Sequence, residues 1–217
     1  MEVPPLVSLE TRELDELRRR LDRKLALKYL VDRVGALLAL PLLGLAWLGA
    51  GLAMWLEGWL DPASRGPLLY REERWTQGRP FFIYKFRTTY PGSQAPGQVG
   101  RLTRTGRLLK KWYLDELPQL LNILRGEMTL VGPRPNIPEN ARREIEQEGM
   151  RGKLLLRAGL TGLVQAHKGA ARDRGVYRSL EERYLAEVLR RSPTGVLAYD
   201  AEILLETCLT VLRGEGL

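Results

Sequence analysis

The most prominent feature of the hydrophobic pattern is an uncharged stretch in the first quarter of the chain. Residues 34–56 carry no charged side chain, and at about 1.5 Å per helical residue this stretch is long enough to cross a bilayer. Pro41 lies inside it and has no N–H to donate to the carbonyl of Leu37, so a helix through this point must at least kink. The pattern predicts a permanent membrane element, because a core helix of a small domain rarely stays uncharged for so long.

The residues ahead of this stretch alternate apolar and charged positions with a helical period. Leu14, Leu17, Leu21 and Leu25 recur among dense charges, including the run "LRRRLDRK". This predicts an amphipathic helix from residue 6 to about residue 30. Two interpretations stay open: a solvated helix laid along the membrane or the domain, or a short heptad seam that pairs two chains into a homodimer.

Downstream of the turn-rich "DPASRGP", the pattern changes to the alternation of strands. We expect two strands, Leu68 to Arg74 and Pro80 to Thr88, joined by a turn at Gln77-Gly78. The Gly, Pro and Ser content of "YPGSQAPGQVG" is typical of a surface loop, and "LVGPRPNIPEN" reads as an extended segment. Helical patterns cover Thr105 to Arg125, where a second interfacial helix is expected, and then about Glu139 to Glu148, Ser179 to Arg191 and Leu197 to Leu212.

The charges that flank the apolar stretch bear on its topology. Seven Lys and Arg residues lie between residues 18 and 33, and the positive-inside rule keeps that end in the cytosol. Residues 57–217 carry 26 Lys and Arg against 19 Asp and Glu, and a crossing helix would export them all. A helix-break-helix hairpin that dips into one leaflet, with Pro41 at the bend and Trp55 and Trp59 back at the interface, keeps both flanks cytosolic. From the pattern alone, a kinked transmembrane helix is an equal alternative.

The composition restricts the kind of partner. The 217 residues carry a formal charge of +8, which implies an anionic partner such as nucleic acid, anionic lipid or a phosphorylated substrate. Cys208 is the only cysteine, so no intramolecular disulfide can form and a cytosol-facing domain is expected. His167 is the only histidine, which excludes a His-rich metal site and leaves oxygen ligands for any cation.

Adjacent carboxylates in "YLDELPQLLNIL" are the first candidate for chemistry. Pro118 is tolerated only in the first turn of an unkinked helix, so we expect a helix that begins near Leu114 with Asp115 and Glu116 at its start. A phosphoryl group there would meet free N–H groups. One carboxylate could then act as a nucleophile and the other as a ligand to a hard cation. On spacing alone, the alternative that Asp115 is a simple helix cap is the stronger of the two.

Positive charge is dense around this pair. In "YKFRTT" the residues Lys85 and Arg87 alternate with Phe86, so on a strand they would share one face, which suits a polyanion. No nucleic-acid recognition motif is present, and an adjacent membrane element favours a lipid or a small phosphorylated molecule over nucleic acid.

Three motifs in order carry a resemblance to a known family. They are "GPLLYREERWTQGRPFFIYKFRTT", "TRTGRLLKKWYLDELPQLLNILRGEMTLVGPRP" and "RAGLTGLVQ". Together they resemble the bacterial sugar transferases, the monotopic phosphoglycosyl transferases that act on polyprenyl phosphate. The resemblance covers roughly residues 28 to 212, and it is specific because "LDELPQLLNIL" and "LVGPRP" recur at the family's spacing.

The resemblance implies an activity and a set of site residues. Members of the family transfer a sugar 1-phosphate from a nucleoside diphosphate sugar, usually of uridine, to polyprenyl phosphate at the cytosolic membrane face, with Mg²⁺. By this likeness Asp115 matches the nucleophile and Glu116 its metal-binding neighbour. A re-entrant helix broken at a proline, which Pro41 resembles, favours re-entry over crossing. The matched substrate-binding positions are Lys85, Arg87, Arg104, Lys110, Pro133, Arg134 and Pro135.

The chain departs from the family pattern at several positions. Tyr113 stands where a Ser or Thr is usual two residues before the nucleophile, and Lys110 stands where Arg is common, which removes bidentate phosphate binding. The stretch "AHKGAARDRG" leaves the sugar-facing region open. The Leu-Asp pair expected before the last helices is not found near Arg183, where Glu182 or Glu187 are candidate replacements, and Asp200 alone matches a familiar acidic position.

We therefore expect an α+β protein that is mostly helical, with a short β-hairpin, a proline-broken re-entrant helix and interfacial amphipathic helices. Its expected parts are an N-terminal helix (1–30), a membrane hairpin (31–60) and a cytosolic catalytic domain (61–217) on the bacterial inner membrane. The expected partners are a UDP-sugar, polyprenyl phosphate, membrane lipid and Mg²⁺, and no nucleic acid. Two rival functions are a non-catalytic membrane adaptor and a conventional glycosyltransferase, which would release UDP.

Overall fold

The computed structural model describes residues 11–93 and 100–212, and this part of the chain is an α+β structure, as predicted. Its strands form two small sheets: β1 (Leu69–Thr76) with β2 (Arg79–Phe86), and β3 (Met128–Val131) with β4 (Ala158–Thr161). The α-helices, which account for most of the structure, are α1 (Thr11–Lys24), α2 (Ala26–Leu60), α3 (Arg104–Lys111), α4 (Leu120–Arg125), α5 (Pro138–Glu146), α6 (Leu163–Ala166), α7 (Arg174–Arg190) and α8 (Pro193–Leu212).

The β-hairpin predicted from the alternating pattern is confirmed. β1 and β2 are antiparallel, and their register pairs Leu69 with Phe86 and Thr76 with Arg79. The turn lies at Gln77-Gly78, where both residues have positive φ angles of 48° and 72°. A two-residue turn of this kind matches the right-handed twist of the two strands, which is why the local sequence was sufficient to identify it.

The second sheet was not predicted. β3 and β4 are parallel, with Met128 opposite Ala158 and Val131 opposite Thr161. Each strand has four residues, and α5 lies in the connection between them. Strands this short give little periodicity, and a parallel pair needs a long crossover, so their pairing is a tertiary effect.

The N-terminal helix packs against the protein's own core. Leu21 and Leu25 are buried in the largest hydrophobic cluster, and Leu14 and Leu17 pack against it. Lys24 Nζ donates to the carbonyls of Val188 and Leu189 at 2.8 and 2.9 Å, near the end of α7. The apolar face of α1 therefore packs against its own chain, and the homodimer stays a prediction.

The membrane helix differs from the predicted helix-break-helix hairpin. α2 is one helix of 35 residues that continues through Pro41. One face of it contacts the domain on both sides of the proline, and the contact residues alternate at intervals of four and three: Ala36, Leu40, Leu43, Trp47, Ala50 and Met54. Packing that continues on both sides of Pro41 holds the helix together, although the proline removes one hydrogen bond.

The opposite face of α2 is exposed and apolar. Its most exposed large side chains are Leu38, Leu45, Leu48, Trp59 and Leu60, each at least 70% exposed. The window Leu43–Leu60 is long and apolar enough to cross a membrane, and α2 is the one such helix among the described residues. Only 22% of that window is buried, whereas a core helix of a soluble protein would be mostly buried.

Polar contacts tie both ends of α2 to the domain. Near its start, the buried ammonium of Lys28 lies 2.6 Å from Asp200 of α8 and 2.9 Å from Asp32. Asp32 in turn accepts hydrogen bonds from the hydroxyl of Thr129 and the backbone of β3. Near its end, the Glu57 carboxylate accepts from the first two backbone N–H groups of α3, at 2.6 and 2.9 Å. The two ends of α2 are therefore fixed to the same body.

The later helices follow the predicted order with shifted bounds. α5 and the start of α7 lie a few residues ahead of their predicted positions. The predicted break at "SPTG" is shorter than expected, because Pro193 begins α8 and Ser192 Oγ accepts a hydrogen bond from the N–H of Gly195. Ser before Pro is a common helix start, so this segment initiates a helix.

Candidate active site

The segment that carries the two carboxylates is a short 3₁₀ helix between two α-helices. The single helix predicted for Thr105 to Arg125 is wrong: α3 ends at Lys111, a 3₁₀ helix spans Leu114–Gln119, and α4 follows. The break lies at Tyr113, a non-glycine residue with a φ of 55°. Such a conformation costs of order 1–3 kcal/mol and is often found at functional sites. The expectation of a helix start near Leu114 is confirmed.

Asp115 lies in the first turn of this 3₁₀ helix and is 6% exposed. Burial raises the pKa of Asp115 to about 6, and the neighbouring Glu116 carboxylate adds to the rise, while Lys85 and Lys110 oppose it. A desolvated carboxylate is a stronger nucleophile than a hydrated one, and because the two lysines limit the rise in pKa, Asp115 is still mostly ionised at neutral pH.

Glu116 is held by the β-hairpin. Its Oε1 accepts a hydrogen bond from Lys85 Nζ at 2.8 Å, and Lys85 lies near the end of β2. Burial opposes the ionisation of Glu116, but the charges of Lys85 and Arg134 outweigh it and lower the pKa of this carboxyl. The two adjacent carboxylates therefore differ: Glu116 is firmly ionised, whereas Asp115 is poised near its pKa.

Cations from four separate segments surround the pair. Lys85 comes from β2, Lys110 from α3, Arg134 from the loop after β3, and Lys168 from the stretch after α6. Lys168 also lies over the ring of Tyr113, 5.3 Å from its centroid. Four cations close to two carboxylates suit a ligand that brings several negative charges, as a diphosphate does.

Arg87 and Arg104 are placed differently from the other predicted cations. Arg87 follows the end of β2, and its guanidinium donates to the carbonyls of Ser64, Pro67 and Thr89 at 2.7 to 2.9 Å. It therefore shapes the loop after α2. Arg104 is exposed at the first position of α3, where its backbone N–H is bound by Glu57. For both residues, substrate binding stays a prediction that these contacts do not support.

The loop 133–135 is fixed from beneath by buried polar groups. Pro133 is buried, and its carbonyl accepts from the N–H of Gly159 at 2.9 Å. The N–H of Arg134 donates to Glu181 Oε1 at 3.0 Å, and Lys153 lies 3.5 Å from the same carboxylate. Lys153 is held in turn by Glu144 and by the hydroxyl of Tyr177. This leaves the side chain of Arg134 exposed beside Glu116, while its backbone is held in place.

Sequence reasoning missed two residues of this site. Lys168 lies in the stretch whose pattern departs from the family, and its proximity to Glu116 depends on how α6 packs. Glu181 is the buried carboxylate of the region where a Leu-Asp pair was expected, and it follows Leu180 directly. Glu181 is buried on the inner face of α7, whereas the next residue, Glu182, is exposed. Only the register of α7 distinguishes the two, and the sequence alone did not reveal that register.

Asp200 is not part of the site. It is buried, pairs with Lys28, and accepts a hydrogen bond from the hydroxyl of Tyr184 at 2.9 Å. Burial raises the pKa of Asp200, and Lys28 opposes this rise. Its role is to join α2 to the last two helices.

A metal site formed by the protein alone is absent from the described residues. No group of three or more His, Cys, Asp or Glu side chains among them could hold an ion. Mg²⁺ is commonly bound by one or two carboxylates together with substrate phosphates, and Asp115 with Glu116 fits that mode. The ion pair between Lys85 and Glu116 would have to open or share the carboxylate for the ion to bind.

A comparison with family models identifies the chain. The model of the bacterial sugar transferases matches residues 23–214, which include the carboxylate pair, the basic positions and the loop 133–135. The chain belongs to this family. Helix α1 lies almost wholly ahead of the matched residues.

Individual bacterial sugar transferases similar to this chain act on undecaprenyl phosphate, by their names. UDP-N-acetylgalactosamine-undecaprenyl-phosphate N-acetylgalactosaminephosphotransferase of Aeromonas hydrophila is 33% identical over 86% of this chain and 44% of its own length. UDP-glucose:undecaprenyl-phosphate glucose-1-phosphate transferase of Caulobacter vibrioides is 36% identical over 87% of this chain and 71% of its own length. The UDP-glucose:undecaprenyl-phosphate glucose-1-phosphate transferase of Xanthomonas campestris is 31% identical over 85% of this chain and 38% of its own length. The chain thus spans less than half of two of these relatives.

Proposed function

We propose that this chain transfers a sugar 1-phosphate from a UDP-sugar to a polyprenyl phosphate, with Asp115 as the nucleophile. The observation that carries the proposal is the buried Asp115 beside an ionised Glu116, with four cations close enough to act on the pair. Family membership and the names of the relatives support the reaction class. Those relatives differ in the sugar they use, so the sugar is left open.

The proposed reaction has two displacements at phosphorus. A carboxylate oxygen of Asp115 attacks the sugar-bearing phosphorus of the donor, and the bond to the UMP oxygen breaks, so that UMP leaves with the bonding electrons. A phosphate oxygen of the polyprenyl acceptor then attacks the aspartyl phosphosugar, and the carboxylate is regenerated. Lys85, Lys110, Arg134 and Lys168 offset the charge that builds up on the transferring group.

Glu116 is the proposed ligand for Mg²⁺, with the donor diphosphate completing the coordination. The ion would supply further charge neutralisation at the diphosphate. Because the protein offers only two adjacent carboxylates, Mg²⁺ should bind weakly to the free protein and more tightly in the presence of UDP. Calorimetric titration of Mg²⁺ with and without UDP measures this, and equal affinities would contradict it.

We infer that the protein sits in one leaflet of the bacterial inner membrane and faces the cytosol. Support comes from the exposed apolar face of α2 and from its two ends, which Lys28 and Glu57 tie to the same domain. A helix that crossed the bilayer would have to release one of these ends. In this proposal both ends of α2 stay on the cytosolic side, and α2 lies in one leaflet as a continuous helix packed on the domain.

Cysteine labelling tests this topology. After Cys208→Ser, single cysteines at the exposed positions Arg19 of α1 and Arg183 of α7 lie before and after α2. Both should be protected from an impermeant reagent in intact cells and labelled in broken cells. Labelling of either one in intact cells would establish a crossing helix.

The reaction is tested by the nucleotide that is released. On mixing with a UDP-sugar, Mg²⁺ and polyprenyl phosphate, the protein should release UMP and form a polyprenyl diphosphate sugar. A conventional glycosyltransferase would release UDP, and a membrane adaptor would release neither. A small panel of UDP-sugars run in the same assay would identify the sugar.

A further inference from the structure

An open apolar groove lies between α2 and the β-hairpin. Gly44, Trp47 and Gly51 of α2 form one wall, and Leu68, Leu69 and Phe86 form the other. Its volume is about 580 Å³, within the range of small-molecule sites. None of the side chains that line it is charged.

The groove opens toward the exposed face of α2. Leu45 and Leu48 stand at its edge and are 73% and 72% exposed. In the membrane orientation proposed above, this edge faces the hydrocarbon of the leaflet, so an apolar chain could enter sideways without passing through water. A polar ligand would have nothing to pair with there.

The inner end of the groove reaches the nucleophile's segment. Phe86 and Trp47 pack edge to face with centroids 6.4 Å apart, in a small cluster that Leu114 also joins. Leu114 directly precedes Asp115, and Phe86 directly follows Lys85, the partner of Glu116. This cluster, which lines part of the groove, therefore contains the chain neighbours of Asp115 and of Lys85.

We propose that this groove holds the first isoprene units of the acceptor lipid. The complementarity is that of an amphiphile: the groove is apolar and open to the leaflet, and the positive charge beyond its inner end matches an anionic phosphate head. This proposal rests on the proposed function, since it names where the second substrate of that reaction binds. An ordinary phospholipid tail in the same groove is the competing occupant, and the test distinguishes the two.

Two glycines of α2 provide a matched pair of variants. Gly44 lines the groove, whereas Gly49 is an exposed residue of the same helix that does not line it. A Cβ atom at either position would meet no described atom within 4 Å, so Gly44→Leu and Gly49→Leu should both fold. Both add the same apolar side chain to the same helix, and only Gly44→Leu fills the groove.

The experiment compares acceptors of different length with the full chain in nanodiscs. The ratio of kcat/KM for a long polyprenyl phosphate to that for a two-isoprene phosphate should fall by tenfold or more in Gly44→Leu, and it should be unchanged in Gly49→Leu. Equal ratios in the two variants would overturn the groove assignment. If the wild type transferred no phosphosugar to any acceptor, the proposed function itself would fail.

Photocrosslinking identifies the occupant directly and does not depend on turnover. A polyprenyl phosphate with a diazirine near its head should label residues 44–51, and unlabelled polyprenyl phosphate should suppress this labelling. A diazirine phospholipid that labels the same residues and is not displaced by polyprenyl phosphate would show that the groove holds bulk lipid, which would contradict the proposal.

Discussion

The buried charge network at the start of α2 gives a quantitative stability prediction. Lys28 is 2% exposed, and its ammonium lies between the carboxylates of Asp32 and Asp200, which are 7% and 5% exposed. Lys28→Ala removes the cation and leaves two carboxylates buried together. Removal of one partner from a buried ion pair costs about 3–5 kcal/mol. For a chain of this size, 1 kcal/mol corresponds to about 2–4 °C in Tm, so we expect a fall of roughly 10 °C.

The matched control is an exposed ion pair on α7. Arg178 and Glu182 form a 2.7 Å pair whose side chains are 49% and 56% exposed. Solvent screens an exposed pair of this kind, so Arg178→Ala should lower Tm much less than Lys28→Ala does. Thermal unfolding of both variants in one detergent measures the difference. If Lys28→Ala and Arg178→Ala unfolded at the same temperature, the network would not anchor α2.

The deficit of Lys28→Ala should also depend on pH. Burial raises the pKa of Asp200 above its unfolded value, and Lys28 opposes this rise, so its removal raises the pKa further. The penalty of a buried carboxylate is present above the folded pKa and disappears as the pH falls toward the unfolded value of about 3.9. The difference in Tm between wild type and variant should therefore be smaller at pH 5 than at pH 8, and a larger difference at pH 5 would contradict the argument.

Two further predictions concern the site. Glu181→Gln weakens the charged hydrogen bond to the N–H of Arg134, so KM for the UDP-sugar should rise roughly tenfold, and it removes a buried partner of Lys153, so Tm should fall. In the exposed neighbour variant Glu182→Gln, KM and Tm should both match wild type. An unchanged KM in Glu181→Gln would show that Glu181 does not position the loop. In metal-free protein, infrared difference spectra should place the pKa of Asp115 at about 6, raised in Lys85→Met and lowered in Glu116→Gln. Shifts in the opposite directions would show that these charges do not control Asp115.

The parts of the fold that the sequence predicted are those set by local signals. The hairpin follows from alternation and a two-residue turn, and the carboxylate pair follows from its place ahead of Pro118. The uncharged stretch predicted that α2 exists but not that it is continuous. Pro41 breaks a helix only where the residues before and after it are not packed against the same surface. Here Ala36 and Leu43 pack on the same surface.

The parts that could not be predicted depend on contacts between distant segments. β3 and β4 pair across an intervening helix, and neither strand is recognisable alone. Lys168 reaches the site only because α6, which packs against α7 and α8, sets the path of the residues that follow it. Glu181 faces inward because of the register of α7. Arg87 was predicted to lie in the site and does not contact it. The alternating pattern placed Arg87 on the same face as Lys85, but β2 ends one residue before Arg87, and the Arg87 guanidinium donates to the loop after α2.

The central claim is that Asp115 forms a covalent bond to the phosphosugar, and intact-protein mass spectrometry tests it most directly. The wild-type protein, incubated with Mg²⁺ and a UDP-sugar that supports turnover but without polyprenyl phosphate, should gain the mass of one sugar phosphate. Peptide mapping should place that mass on Asp115, Asp115→Asn should show no adduct, and added polyprenyl phosphate should discharge the wild-type adduct. An adduct of the same mass on Asp115→Asn, or turnover that requires donor and lipid to bind together before UMP leaves, would contradict the account.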